Sequence, residues 1–138
     1  MAGAKVNATH LSGPLNVGAG KYRYLTAAYT VKYSDSGTTF VLKGGTGNAI
    51  TMPAYKEGFN CKFIVTEAFT TDYVITFPAA VVSGVIHEAG AIQTCAAKSV
   101  FTLEDGTEAL GDTLEFEDVD DITVVYGWFQ TAASITVA

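Results

Sequence analysis

The chain has 138 residues with a formal net charge of −6. Hydrophobic residues make up 49 % and charged residues only 16 %. That length suits one domain, large enough to bury about two-thirds of its extended surface. An acidic chain with a single arginine lacks the clustered Lys/Arg that phosphate neutralisation needs, so nucleic acid is not expected as a partner.

Neither a membrane segment nor a secretory signal is expected. The longest charge-free run, Ile122–Ala138, contains Gly127, Gln130 and several threonines, and it is shorter than the ~20 apolar residues of a spanning helix. The opening MAGAKVNATHLSG has no apolar stretch of the signal-peptide kind. The high apolar fraction therefore points to surface buried between subunits. Charge is unevenly placed. All eight bases lie at or before Lys98, and nine of the fourteen acids lie between Glu104 and Asp121. Such an acidic stretch either orients the module on a partner or simply solvates a hairpin.

Residues 1–20 are small, polar and glycine-rich, with Pro14 and no period of 2 or 3.6, and read as an extended N-terminal arm. Residues 21–138 read as one β domain. Tyr22–Tyr33 is rich in Tyr and Val and suits a half-buried strand. Ser34-Asp35-Ser36-Gly37 is a turn, and Thr38–Leu42 is the next strand. Gly44–Asn48 is a loop. It is no phosphate loop, because no Gly-Lys-Ser/Thr follows and a strand, not a helix, comes next.

Ala49–Met52 and Phe59–Val65 are strands around a Pro53–Gly58 turn. Asp72–Phe77 follows, stopped by Pro78, and then Val81–Ile86, interrupted by Gly84. Ala91–Ala97 fits no single pattern. Ser99–Leu103 leads into Glu104-Asp105-Gly106, which reads as a hairpin turn. Gly111-Asp112 turns into Thr113–Glu117, where Leu114 and Phe116 alternate with Glu115 and Glu117. Ile122–Phe129 and Ser134–Val137 complete about ten strands at short spacing, with helix-period spacing broken throughout by Gly or Pro. The expected fold is all-β: a single antiparallel β-sandwich, jelly-roll-like, behind the arm.

Chemistry is sparse. His10 falls in the arm and His87 in an expected loop beside Glu88, and no Gly-x-Ser-x-Gly elbow surrounds any serine, so no catalytic set is named. Two histidines and two cysteines, widely scattered, make no zinc site. Cys61 and Cys95 read as two buried thiols, with a bridge left open. The acids Glu115, Glu117, Asp118, Asp120 and Asp121 lack the spacing of a calcium loop and suit a β-turn equally well. No cofactor and no metal are expected. Trp128 and Phe129 could stack on a sugar, although core or interface packing is commoner for such residues.

Two phrases carry a resemblance. In Gly47–Val65 a strand ends in Met52-Pro53-Ala54 and the next begins at Gly58-Phe59. In Ala109–Trp128 a Gly111-Asp112 turn precedes a late aromatic strand. Spanning about residues 38–128, this resembles small β-sandwich virion proteins of tailed bacteriophages, which serve as capsid decoration (cement) proteins or as head and tail fibre modules. The chain departs from the commoner form at Tyr126-Gly127-Trp128, where many have a Ser-Asp-Gly turn before the Trp.

The resemblance implies a non-enzymatic structural protein, a homotrimer seated on the major capsid protein at the virion surface and made in the host cytoplasm. It implies partners that are neither nucleic acid nor membrane. Interface candidates are Lys5, Val6, His10 and Leu11 in the arm, and Tyr22, Tyr24, Tyr126, Trp128 and Phe129 in the aromatic cluster. A receptor- or glycan-binding fibre module is the alternative, and a hydrolase on a jelly-roll scaffold is a more distant one.

Overall fold

The computed structural model describes residues 21–45 and 48–138. The arm read at residues 1–20, with Lys5, Val6, His10 and Leu11, lies outside them. Twelve strands form two sheets packed as a sandwich: β1 (Lys21–Leu25), β2 (Tyr29–Thr30), β3 (Thr38–Leu42), β4 (Ala49–Thr51), β5 (Asn60–Val65), β6 (Tyr73–Thr76), β7 (Val82–Glu88), β8 (Ala91–Lys98), β9 (Val100–Leu103), β10 (Thr113–Val119), β11 (Ile122–Phe129) and β12 (Ile135–Val137). One sheet has seven strands in the order β1-β3-β5-β10-β11-β7-β8. The other has five, in the order β12-β9-β6-β4-β2.

The all-β sandwich is the fold the sequence points to, but its pairing is mixed rather than wholly antiparallel. Strands β1 to β6 alternate strictly between the sheets. Each strand therefore meets the one two places earlier, running the same way: β3 beside β1, β5 beside β3, β4 beside β2 and β6 beside β4. The Pro53–Gly58 segment is thus a crossover from one sheet to the other and not a hairpin.

The same winding splits the expected strand at Tyr22–Tyr33. The chain leaves one sheet at Leu25 and enters the other at Tyr29. Gly45 permits the bend. A Cβ there would stand 2.0 Å from the Thr26 carbonyl oxygen. Glu104-Asp105-Gly106 is no hairpin turn either, because β9 pairs with β6 and β12 while β10 lies in the other sheet. The unclassified stretch Ala91–Ala97 is β8, hairpinned onto β7.

The core lies between the sheets. Phe40, Phe63, Leu114, Phe116, Val125 and Ile86 from the larger sheet meet Ile50, Tyr73, Ile75, Phe101 and Leu103 from the smaller. Phe116 is the hub. Its ring centroid is 4.9 Å from Phe77, 5.2 Å from Phe101 and 6.1 Å from Phe63, in tilted or edge-on arrangements that aromatic quadrupoles favour. The Tyr73 hydroxyl is buried, and it donates to the carbonyls of Lys43 (2.7 Å) and Leu25 (2.9 Å), tying the β1 and β3 ends to β6. Gly84 makes a close approach in β7, at φ +152°. A Cβ there would stand 2.1 Å from the Val125 carbonyl oxygen across the β7–β11 pair.

Both cysteines are buried free thiols. Burial pushes the Cys61 thiol far above its ordinary value, with smaller like-signed contributions from the Asp118 and Asp35 carboxylates. The folded chain holds this proton, whereas the unfolded chain releases it above roughly pH 8.5. Stability should therefore be fully present below that pH and fall above it, by about 1.4 kcal/mol per pH unit for one thiol. Urea denaturation between pH 7.5 and 9.5 should show this fall, and Cys61→Ala should make it shallower.

Candidate functional site: the outer face of the seven-stranded sheet

One face of the larger sheet covers the core and the other has no covering layer among the described residues. Strand alternation decides which side chains stand on that outer face. In β10, Leu114 and Phe116 point inward and Glu115 and Glu117 outward, as the sequence pattern predicts. The strand registers carry this alternation across the sheet.

Two unbroken rows result. One runs Tyr24, Val41, Ile64, Thr113, Trp128, His87, Ile92 from edge to edge. The other runs Tyr22, Thr39, Lys62, Glu115, Tyr126, Val85, Thr94 through the same strands. At ~4.8 Å between strands, each row spans roughly 29 Å.

Large apolar groups on these rows are open to solvent. Tyr24 and Ile92 are each 65 % exposed, and Tyr126 and Trp128 each 60 %. The Trp128 and His87 rings lie 5.0 Å apart at 34°, above a depression of about 380 Å3 floored by Ala89, Gly90 and Ile92. A shallower depression of about 560 Å3 crosses the middle of the face, lined by Thr39, Lys62, Glu115 and Tyr126. Its Lys62–Glu115 ion pair, at 3.8 Å, is exposed and contributes at most about 1 kcal/mol.

Four expected interface residues lie on this face in two separate pairs, Tyr22 and Tyr24 on edge strand β1 and Tyr126 and Trp128 on β11, with three strands between them. Phe129 does not join them. It alternates inward from Trp128, is 3 % exposed and packs in the core, so it is a core residue and not a contact candidate. His87 belongs to strand β7 rather than a loop, facing outward beside Trp128. Val41, Ile64, Val85 and Ile92 complete the face and were missed. The alternation of Ile92 and Thr94 with Gln93 and buried Cys95 was the available signal.

The acidic residues do a different job. Asp118 faces inward, 5 % exposed, and accepts from the Thr123 hydroxyl (2.6 Å) and the Lys56 amide (2.9 Å). Asp120 and Asp121 take positive φ, 50° and 64°, as the two central residues of the β10–β11 turn. Left-handed backbone at both centres matches the strand twist. The Asp121 amide donates to the Tyr55 hydroxyl at 2.9 Å and the Asp120 amide to Glu57 at 3.1 Å. Tyr55 in turn donates to Glu57, and that bond pushes its phenol above the ordinary value.

The Pro53–Gly58 crossover and the acidic hairpin are thus clasped together. The Glu57 and Asp118 carboxylates are engaged by backbone amides, and no group of three His, Cys, Asp or Glu converges as a metal site among the described residues.

At the other end of β10, buried Asp112 accepts from the Ala109 amide (2.8 Å) and the Gln130 amide (2.9 Å). Its own carbonyl takes the Val65 amide. The fold and this face together define an all-β sandwich presenting a solvent-open aromatic sheet. Comparison with known protein families, characterised proteins and solved structures gives no match for the chain.

Asp118→Ala should lower stability by about 2–3 kcal/mol, because two donors lose their buried acceptor. Asp118→Asn, which keeps one acceptor oxygen, should cost less. Urea denaturation of the three proteins measures this, and equal stability of all three would contradict the assigned role.

Proposed function

We propose that the protein is a structural component of a bacteriophage virion, a capsid decoration (cement) protein that works by contact and not by catalysis. The observation that carries this reading is the pair of registered rows on the outer face, where exposed Tyr, Trp and Ile stand on β1, β11 and β8. A face of that kind is rich in the residues that anchor protein interfaces, Tyr and Trp above all, with charges few and placed between the aromatics. The phrases at Gly47–Val65 and Ala109–Trp128, which resemble phage β-sandwich proteins, supply the setting. The protein would act as a homotrimer on the major capsid protein, each copy adding buried area that resists pressure on the shell. Many such contacts, each of standard size near 1,600 Å2, strengthen a shell without any single contact being strong.

A second reading is favoured by one detail. The exposed Trp128 ring beside His87, above a depression, has the form of a sugar-stacking platform, which suits a glycan-binding fibre module. A glycan array with no Trp128-dependent hit would set this reading aside.

Light scattering of the full chain at micromolar concentration tests the assembly reading. The expected mass is three times the 14.5 kDa chain or a whole multiple of that, reduced by Tyr126→Ser/Trp128→Ser while the circular dichroism of the fold persists. A strict monomer, or an assembly indifferent to this pair, would contradict it.

A further inference from the structure

We infer that strand β8 is a second self-association site, one that pairs edge to edge with β8 of another copy of this chain. Among the described residues the two sheets have four edges, and each exposes backbone N–H and C=O groups that invite another strand unless something blunts it. Three of the four are blunted. β2 is two residues long. β12 is three, and the amides that lead into it are taken by the Glu88 carboxylate, from Ala133 at 2.6 Å and Ile135 at 3.3 Å.

β1 carries Lys21 and Arg23 on its core-side face, alternating with Tyr22 and Tyr24. Lys21 reaches across to the carbonyls of Ser34 (3.1 Å) and Ser36 (2.9 Å), and Arg23 lies over the Tyr29 ring at 4.9 Å. Inward-pointing charge of this kind is a recognised block to edge pairing.

β8 has none of these devices over most of its length. It runs eight residues, Ala91–Lys98, without proline, and its one charge is Lys98 at the far end. The pairs from Ala91 to Thr94 with β7 are regular. Only toward Lys98 does a bulge intervene, with Ala97 at φ +51°. The regular, uncharged half is the half that bears exposed Ile92, where the apolar row Trp128, His87, Ile92 reaches the sheet edge.

The occupant follows from charge. The chain carries −6, so two copies repel least where acids are absent, and β8 holds none. Antiparallel pairing of β8 with itself about a twofold axis sends the two Lys98 residues to opposite ends of the ribbon. It brings the two Ile92 side chains onto one continuous face, and it places no like charges opposite each other. This contact runs along the backbone edge of β8, at the rim of the outer face whose two rows end in Ile92 and Thr94. If the outer face builds trimers, β8 joins them two by two. If it does not, β8 alone makes a dimer.

The test uses Gln93→Lys, which leaves Ile92 and Thr94 of the outer face in place and gives β8 the inward-pointing charge that blunts β1. The mass of the full chain by light scattering should halve, with the thermal unfolding curve of the fold retained. Hydrogen exchange of the wild-type Ala91–Ala97 amides should slow as concentration rises, a readout that needs no variant. A mass unchanged by Gln93→Lys, or β8 amides that exchange equally fast at every concentration, would overturn the inference. A mass indifferent to Tyr126→Ser/Trp128→Ser while the β8-dependent halving persists would fault the outer-face reading alone.

Discussion

The structure depends on the register of β10. This strand sits near the middle of the larger sheet, between β5 and β11, and its side chains alternate between Phe116 in the core and Glu115 and Glu117 in solvent. A slip of one residue would bring the glutamates against Phe77 and Phe101 and send Phe116 to the surface. Two buried carboxylates pin the strand at its ends. Asp112 holds the start of β10 to the ends of β5 and β11, and Asp118 holds its finish to the Lys56–Phe59 segment. Both are satisfied by backbone or hydroxyl donors, so they fix position without leaving an unpaired buried charge.

That register is also what makes the outer face. Tyr126 stands beside Glu115 and Trp128 beside Thr113 only because β11 pairs with β10 as it does. The parallel pairs β1–β3, β3–β5 and β11–β7 then carry the same alternation outward to both edges. A core held by aromatic contacts on one side and an open aromatic surface on the other are two faces of one pairing scheme. Natural sheets that leave one face to water alternate apolar with polar. This sheet instead leaves Tyr, Trp and Ile on its water side, which is the reason to read that side as a contact surface.

Much of this was legible in the sequence. Strand positions followed from alternation and from the Pro and Gly punctuation. The inward pair Leu114 and Phe116 and the burial of both thiols were readable without coordinates. Topology was not. Nothing local in Ala49–Val65 tells a hairpin from a crossover, because Pro53 and Gly58 serve either, and the choice is made by which partner strand offers a matching face. Phe129 was misread for a related reason. Adjacent aromatics in a strand must face opposite ways, and the buried one is fixed by Val125, four residues earlier, rather than by its own character. The acidic turn was legible as a turn, while the inward role of Asp118 depended on Lys56, sixty-two residues away.

We propose the outer face of the seven-stranded sheet as the surface by which this protein makes contact. Trp128 is the only tryptophan in the chain and stands in the middle of that face, so its fluorescence reports the claim directly. The measurement is acrylamide quenching of the Gln93→Lys protein across a dilution series, with mass followed by light scattering in the same samples. Trp128 should become shielded, with emission shifted to the blue, in step with association. Association that leaves Trp128 as accessible as in the dilute chain would contradict it.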